Sequence, residues 1–496
     1  MDYHLVVLVH GIWGNSSHMS YLAEQIQRHT KAHESIVVYK TGSHSGYKTY
    51  DGIDVNGKRV ADEIFAETSR LNDQGGKVTK ISVIGYSLGG LMARYALGIL
   101  YHHKYFEQVQ PVHFVTFCTP HVGINNISSS LSSKIFNFIA PYVLVYTGHQ
   151  MFLNDKTATV GNDDKLPLLV WMADSKSPFY KALASFQHRS LYGNAINDRR
   201  TSWYTTFISN VDPFNAMVNE SLSAYNLEYV KGYEPNVIDF TRSISFSKIE
   251  RPIKKRTLNP LRWLYKIFVW TKIVASLIVT MPIYSIYLLG NAIWQRVQLN
   301  RRLRNFYKES PNSLSVLYDL VDNDYDLEKG PKLTKSEFQE MQKPDSDHEE
   351  TYFEAIEERI HDRAELFVDS IFKAVNSASY YDYHYSVSKK TPSSSKPASS
   401  KPTSDDNSTN EESKLLPKPG LVNLKGKAVK NDFKLKFDWR QEKIVEGLNT
   451  LQWNKFPVII RNTKATHAAV IHRHNDPNFG EGKVVVRHFI EQVFKV

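Results

Sequence analysis

The run Lys80-Ile81-Ser82-Val83-Ile84-Gly85-Tyr86-Ser87-Leu88-Gly89-Gly90-Leu91 constrains this chain most. Its β-branched first half suits a buried strand. From Leu88 to Leu100 apolar residues recur at helical spacing, with Leu91, Met92, Tyr95 and Leu100 on neighbouring turns. Between them, Gly85-Tyr86-Ser87-Leu88-Gly89 fits G-x-S-x-G, in which a serine sits on a strained strand-to-helix turn and glycines let the two elements approach. The pattern alone is common by chance. With a strand before it and a helix after it, Ser87 becomes a candidate nucleophile.

The rest of the first 200 residues repeats strand and helix. Leu5-Val6-Val7-Leu8-Val9 is continuously apolar, as a parallel strand buried on both faces requires. It runs into His10-Gly11-Ile12-Trp13-Gly14, and a helix is expected from Tyr21 to Arg28. A loop of this kind supplies one oxyanion amide in sites built on a G-x-S-x-G turn, so Ile12 N–H and Leu88 N–H are the expected pair of donors. Strands at Ser35–Tyr39 and Pro111–Cys118 flank a helix at Lys58–Leu71. Such alternation predicts a doubly wound, mostly parallel sheet with its site at the carboxyl ends of the strands. His121, just past Cys118, comes too early for the order Ser, Asp, His and is read as structural. Residues 125–185 show apolar clusters without clean strands, the expected place for a cap.

After the strand Ser190–Ala195, Asp198 is the expected acid, placed to orient a histidine; Asp174 and Asp212 compete. The base must come from the far end of the chain, where His467, His472 and His474 cluster. A strand from Ala468 to Arg473 would fix His472 in the pleat and leave His474 in the loop beyond. His467, just before that strand and after a small-residue loop, is the favoured base. A further strand, Phe456–Ile460, and a strand-turn-helix over Val484–Phe494 complete this region.

The net charge of +10 suggests nucleic acid or membrane until it is located. Residues 251–308 hold twelve Lys and Arg and no Asp or Glu, so the excess lies there and the remainder is close to neutral. Ile273–Gln295 is free of charge for 23 residues, long enough to span a bilayer but interrupted by Pro282 and Gly290. Basic residues on both sides, with Trp263, Tyr265, Trp270 and Trp294, mark a membrane-associating segment and not a nucleic-acid surface. A triad divided between the two sides of this segment needs both flanks on one side of the membrane. A monotopic hairpin bent at Pro282 is therefore expected, on a monolayer or a cytosolic leaflet. The single cysteine, Cys118, excludes an intramolecular disulfide. No signal peptide is expected, because the strand pattern begins within five residues of Met1. No metal or cofactor pattern is present.

Together, His10-Gly11-Ile12-Trp13-Gly14, Gly85-Tyr86-Ser87-Leu88-Gly89-Gly90, Thr119-Pro120-His121, Asn197-Asp198 and Thr466-His467-Ala468-Ala469-Val470-Ile471 resemble the eukaryotic serine esterase (lipase) family, and within it the fungal lipid-droplet phospholipases. The likeness covers the first 210 residues and the last 45. It implies an α/β-hydrolase acting on glycerophospholipid acyl esters, with Ser87, Asp198 and His467 as triad and the lipid droplet or the cytosolic face of the endoplasmic reticulum as location. The 269 residues between Asp198 and His467 depart from compact hydrolases. The expected organisation is a hydrolase core at 1–245 with its cap near 125–185, a basic and hydrophobic segment at 251–308, a helical insertion at 309–385, a disordered linker at 386–415, and the rest of the core at 416–496. The competing functions are a cytosolic esterase or acyl-protein thioesterase, and a non-catalytic membrane tether.

Overall fold

The apolar run after Met1 forms β1 (Asp2–Val9) in the computed structural model, and its alternation divides the interior in two. Leu5, Val7 and Val9 face one core while Val6 and Leu8 face the other, all fully buried. Next in order come α1 (Ser20–His29), β2 (Ile36–Lys40), α2 (Ile53–Asp73), β3 (Lys77–Tyr86), α3 (Leu88–His102) and β4 (Gln110–Phe117). Residues 131–185 contribute α4 (Leu131–Val143), α5 (Val145–Met151), a small hairpin of β5 (Ala158–Val160) and β6 (Asp164–Leu166), α6 (Leu168–Trp171) and α7 (Pro178–Ser185). They are followed by β7 (His188–Asn194) and α8 (Trp203–Thr206). Ser245–Phe246 (β8), Asn423–Leu424 (β9) and Lys427–Ala428 (β10) pair in a minor sheet. The chain then closes with α9 (Trp439–Leu448), β11 (Asn454–Val458), α10 (Thr466–Ala469) and α11 (Gly480–His488).

The structure describes residues 1–214 apart from 31–34, 128–130, 157, 161–163 and 199, then 227–240, 245–246, 290, 294, 297–302, 423–424, 427–428 and 435–495. Most of the expected membrane segment, the helical insertion and the linker therefore lie outside the described residues. Among the described residues no helix is long and apolar enough to cross a membrane. Residues 297–302 are helical and rest on the core: Leu299 packs with Tyr50 and Val145, and Arg302 forms an ion pair with the buried Asp51.

The main sheet has the order β11-β7-β4-β3-β1-β2, every pairing parallel. This is the doubly wound α/β-hydrolase sheet that the sequence predicts. Residues of α2, α3, α7 and α9 join the core on one face; α1, α10 and α11 join the core on the other. The chain reverses its direction of winding between β1 and β3, and the crevice beyond their carboxyl ends is where such sheets bind ligands. Ile12 follows β1 and Ser87 follows β3, so both stand at that point.

Three local expectations are corrected. Residues 468–473 form no strand: Thr466–Ala469 is a helical turn, continued by Val470 and closed by His472 at φ 51°. Val484–Phe494 is not strand-turn-helix but the end of α11 and a π-helical turn, Phe489–Val493. The β-branched Val484-Val485-Val486 invites a strand reading. However, Gly482, Val485, Val486, Phe489 and Ile490 are buried at helical spacing, and burying one face outweighs propensity. Finally, α2 begins at Ile53 and not Lys58. Gly57 signals a loop locally, yet it sits inside the helix because a side-chain carbon there would lie 2.6 Å from Tyr95 Cβ of α3.

Candidate active site

Ser87 occupies a turn that few residues with a side chain adopt, φ 54° and ψ −128°. The turn is held on both sides. Ser87 N–H donates to Phe117 O at 2.8 Å, and Thr119 Oγ1 donates to Ser87 O at 2.9 Å. Glycine is required around it: a Cβ on Gly85 would stand 2.4 Å from Gly90 Cα, and one on Gly89 2.3 Å from Val9 O. The strained turn points Ser87 Oγ into the crevice instead of into the helix.

His467 comes from α10 at the other end of the chain. Its Nε2 lies 2.9 Å from Ser87 Oγ, and its Nδ1 lies 2.9 Å from one Asp198 oxygen and 3.2 Å from the other. An acceptor on Nδ1 fixes the tautomer, by inference from the hydrogen-bond network, so that Nε2 presents its lone pair to the serine hydroxyl. Tyr86 packs against the imidazole at 5.3 Å and donates from its hydroxyl to His467 O. Thr466 Oγ1 donates to Asn197 O and ties the base helix to the acid loop.

Asp198 is buried within a ring of donors. It accepts from Asn194 Nδ2, Arg200 N, Thr201 N and Thr201 Oγ1 at 2.9–3.1 Å, besides His467. Burial alone would raise its pKa, but the neighbouring His467, its hydrogen bond and the loop amides overcome that and hold the carboxyl well below the usual carboxylate range. The sequence reading missed Asn194 and Thr201. Thr201 carries a signal, since a loop aspartate is often followed at short range by amide and hydroxyl donors; Asn194 looks like any strand residue.

The other candidates lie elsewhere. His121 is buried, with Nε2 2.9 Å from Thr116 Oγ1, and burial followed by the nearby Arg94 lowers its pKa far below the ordinary value. His472 Nδ1 faces Phe479 O at 3.0 Å, and His474 accepts from Arg473. Asp174 and Asp212 cap their own loops, accepting from Lys176 N and Phe214 N. Ile12 and Leu88 flank Ser87. A Cβ on Gly11 would stand 2.7 Å from Ser87 Cβ, so the Ile12 loop abuts the nucleophile, and Leu88 N–H, first in α3, has no carbonyl one turn back.

One donor set invites comparison with a metal site. Ligand atoms of Cys118, Asp198 and His467 lie within 4.8 Å of one another. The set does not fit a cation: Asp198 is engaged by His467 Nδ1, and burial together with Asp198 raises the Cys118 pKa, which keeps the thiol protonated. The arrangement fits proton transfer from Ser87 to an oriented imidazole.

Residues 1–211 match the family described as "Putative serine esterase (DUF676)". Similar curated proteins are "Putative lipase C4A8.10" of Schizosaccharomyces pombe, 31% identical over 199 residues, and "Putative lipase ROG1" of Saccharomyces cerevisiae, 33% identical over 219. The matches cover 39% and 42% of this chain but only 25% and 29% of those proteins. A solved structure, the lipase BlEst2 of Bacillus licheniformis in its propeptide form, is 17% identical over 40% of this chain and 36% of its own, with a TM-score of 0.26, too slight a likeness to argue from. The family match contains Ser87 and Asp198 and stops well short of His467, which reaches them only through the fold. Through residues 1–211, less than half of its length, the chain is similar to the putative serine esterase family.

Proposed function

We propose that this protein is a serine carboxylic-ester hydrolase that cleaves glycerophospholipid acyl esters at a lipid surface. The observation that carries the chemistry is Ser87 Oγ 2.9 Å from His467 Nε2, with Asp198 on the opposite nitrogen. His467 takes the Ser87 proton as the oxygen attacks the acyl carbonyl, and Asp198 stabilises the imidazolium. Ile12 and Leu88 N–H groups receive the oxyanion. His467 then protonates the departing glycerol oxygen, leaving an acyl-serine. Water, deprotonated by the same imidazole, cleaves that ester and restores Ser87.

Two features support a lipid surface. Helix α4 exposes Leu131, Ile135, Phe138, Ile139 and Tyr142 by half or more of their area, and such a face on a folded protein marks a binding surface. The helix is linked to the nucleophile's side of the sheet: in the neighbouring α5, Thr147 Oγ1 donates to Thr49 O, and Thr49 Oγ1 accepts from Trp13 N. The second feature is the basic and apolar run 251–308, read from sequence, whose charge suits an anionic membrane or lipid-droplet monolayer. The test is mass-spectrometric profiling of products from mixed phospholipid and triacylglycerol emulsions, with Ser87→Ala as control. Fatty acid and lysophospholipid lost in the control are expected. Hydrolysis confined to soluble esters would favour a cytosolic esterase, and no Ser87-dependent product would leave a tether.

A further inference from the structure

The Gly11–Ile12 peptide is held by a device that the triad does not use. His10 Nδ1 lies 3.0 Å from Gly11 O, and Gly14 N–H donates to the same oxygen at 3.1 Å. The peptide is trans. In a trans peptide the carbonyl and the N–H point opposite ways. Holding Gly11 C=O toward His10 and Gly14 therefore directs Ile12 N–H away from them. Among the described residues that N–H has no hydrogen-bond partner, and the Gly11 backbone beside it packs on Ser87.

The His10 ring is itself immobilised. It is fully buried, stacks on the His44 ring at 4.0 Å and 16°, and has Ser45 Oγ 3.3 Å from Nε2. The loop carrying His44 and Ser45 is anchored by half-buried Glu63, which accepts from Gly42 N, Ser43 N, Ser43 Oγ and Tyr39 OH. We infer that His10 is a positioning residue that sets the oxyanion hole by donating Nδ1–H to Gly11 O, with His44 and the Glu63-anchored loop fixing its ring. Burial holds its pKa down at about 3, so the ring stays neutral with one N–H to give. The carbonyl of Gly11 must not swing round, because that would withdraw Ile12 N–H from the site and aim an acceptor at the oxyanion.

The assignment rests on the esterase reading above. Its test compares the wild type, His10→Leu and His10→Asn on an oxoester and on the matching thionoester, whose sulfur accepts hydrogen bonds weakly. Loss of one oxyanion donor costs about 10²–10³-fold in kcat. His10→Leu should lose on that scale for the oxoester with little change in KM and a much smaller loss for the thionoester. His10→Asn, whose amide nitrogen can occupy the Nδ1 position, should recover most of the oxoester rate. An equal loss on both substrates in His10→Leu, or an Asn variant no better than Leu, would overturn the assignment while leaving the esterase reading intact. A wild type inactive on every ester would overturn both.

Discussion

His467 Nε2 stands 2.9 Å from Ser87 Oγ although 380 residues separate them in sequence. Among the described residues no other histidine hydrogen-bonds to Ser87 Oγ. His467→Ala should match Ser87→Ala, each lowering kcat about 10⁶-fold, as when one member of such a triad is removed. His121→Ala and His474→Ala should keep measurable turnover. His472→Ala should lose stability through its hydrogen bond to Phe479 O, about 1 kcal/mol, and still turn over. Ester hydrolysis measured on refolding-competent variants checks this; an inactive His472→Ala beside an active His467→Ala would reverse the assignment of the base.

Asp198→Asn should lower kcat about 10⁴-fold by removing the carboxylate that fixes the imidazole tautomer. The same residue should leave a mark on acid stability. Its folded-state pKa is depressed, so its contribution is complete above the unfolded-chain value of about 3.9 and is lost as pH falls through the lower folded value. Thermal melts below about pH 4 should show the wild type losing its advantage over Asp198→Asn with acidification. A gap that widens over that window would contradict a stabilised carboxylate.

Arg302 contacts Asp51 through both Nε and Nη2, and Arg59 holds the other side of that buried carboxylate. Arg302→Ala should therefore destabilise the core by about 1.5–3 kcal/mol, the usual worth of hydrogen bonds to a charged group. Urea unfolding of the two proteins would measure it. A midpoint unchanged by the substitution would mean that Arg59 alone satisfies Asp51.

Neutralising Arg251, Lys254, Lys255 and Arg256 together should weaken partitioning onto anionic liposomes, by about 1 kcal/mol per charge near the surface at low salt. Flotation across a salt series reads this directly. Binding insensitive to both salt and substitution would point to apolar insertion alone.

Ser87 and Asp198 were legible because each carries its context locally: a strand ends, and the residue that follows has a turn to occupy. His467 was legible only by elimination and by family likeness, since its flanking run Ala468-Ala469-Val470-Ile471 supports strand and helix equally. What decides is tertiary. Gly482 lets α11 approach so closely that a Cβ there would lie 1.8 Å from Ala469 O, and this packing has no counterpart in local propensity. The rings of His10 and His44 were opaque for the same reason: loops 34 residues apart in sequence meet only once β1 and β2 are paired.

The edge strand β11 pairs with β7 from beyond the whole insertion, and this orders events in time as well as in space. A chain still on the ribosome completes β1, β3 and the Ser87 turn early, then waits for residue 467 before the serine meets its base. Lengthening the intervening chain scarcely alters the closed sheet, since each doubling of the length between two joined ends adds only about 0.6 kcal/mol of closure entropy, but it prolongs the wait. Nascent chains stalled short of His467 should resist fluorophosphonate labelling that completed chains undergo; prompt labelling would show that the turn alone arms the serine. Translation itself would then serve as the zymogen stage.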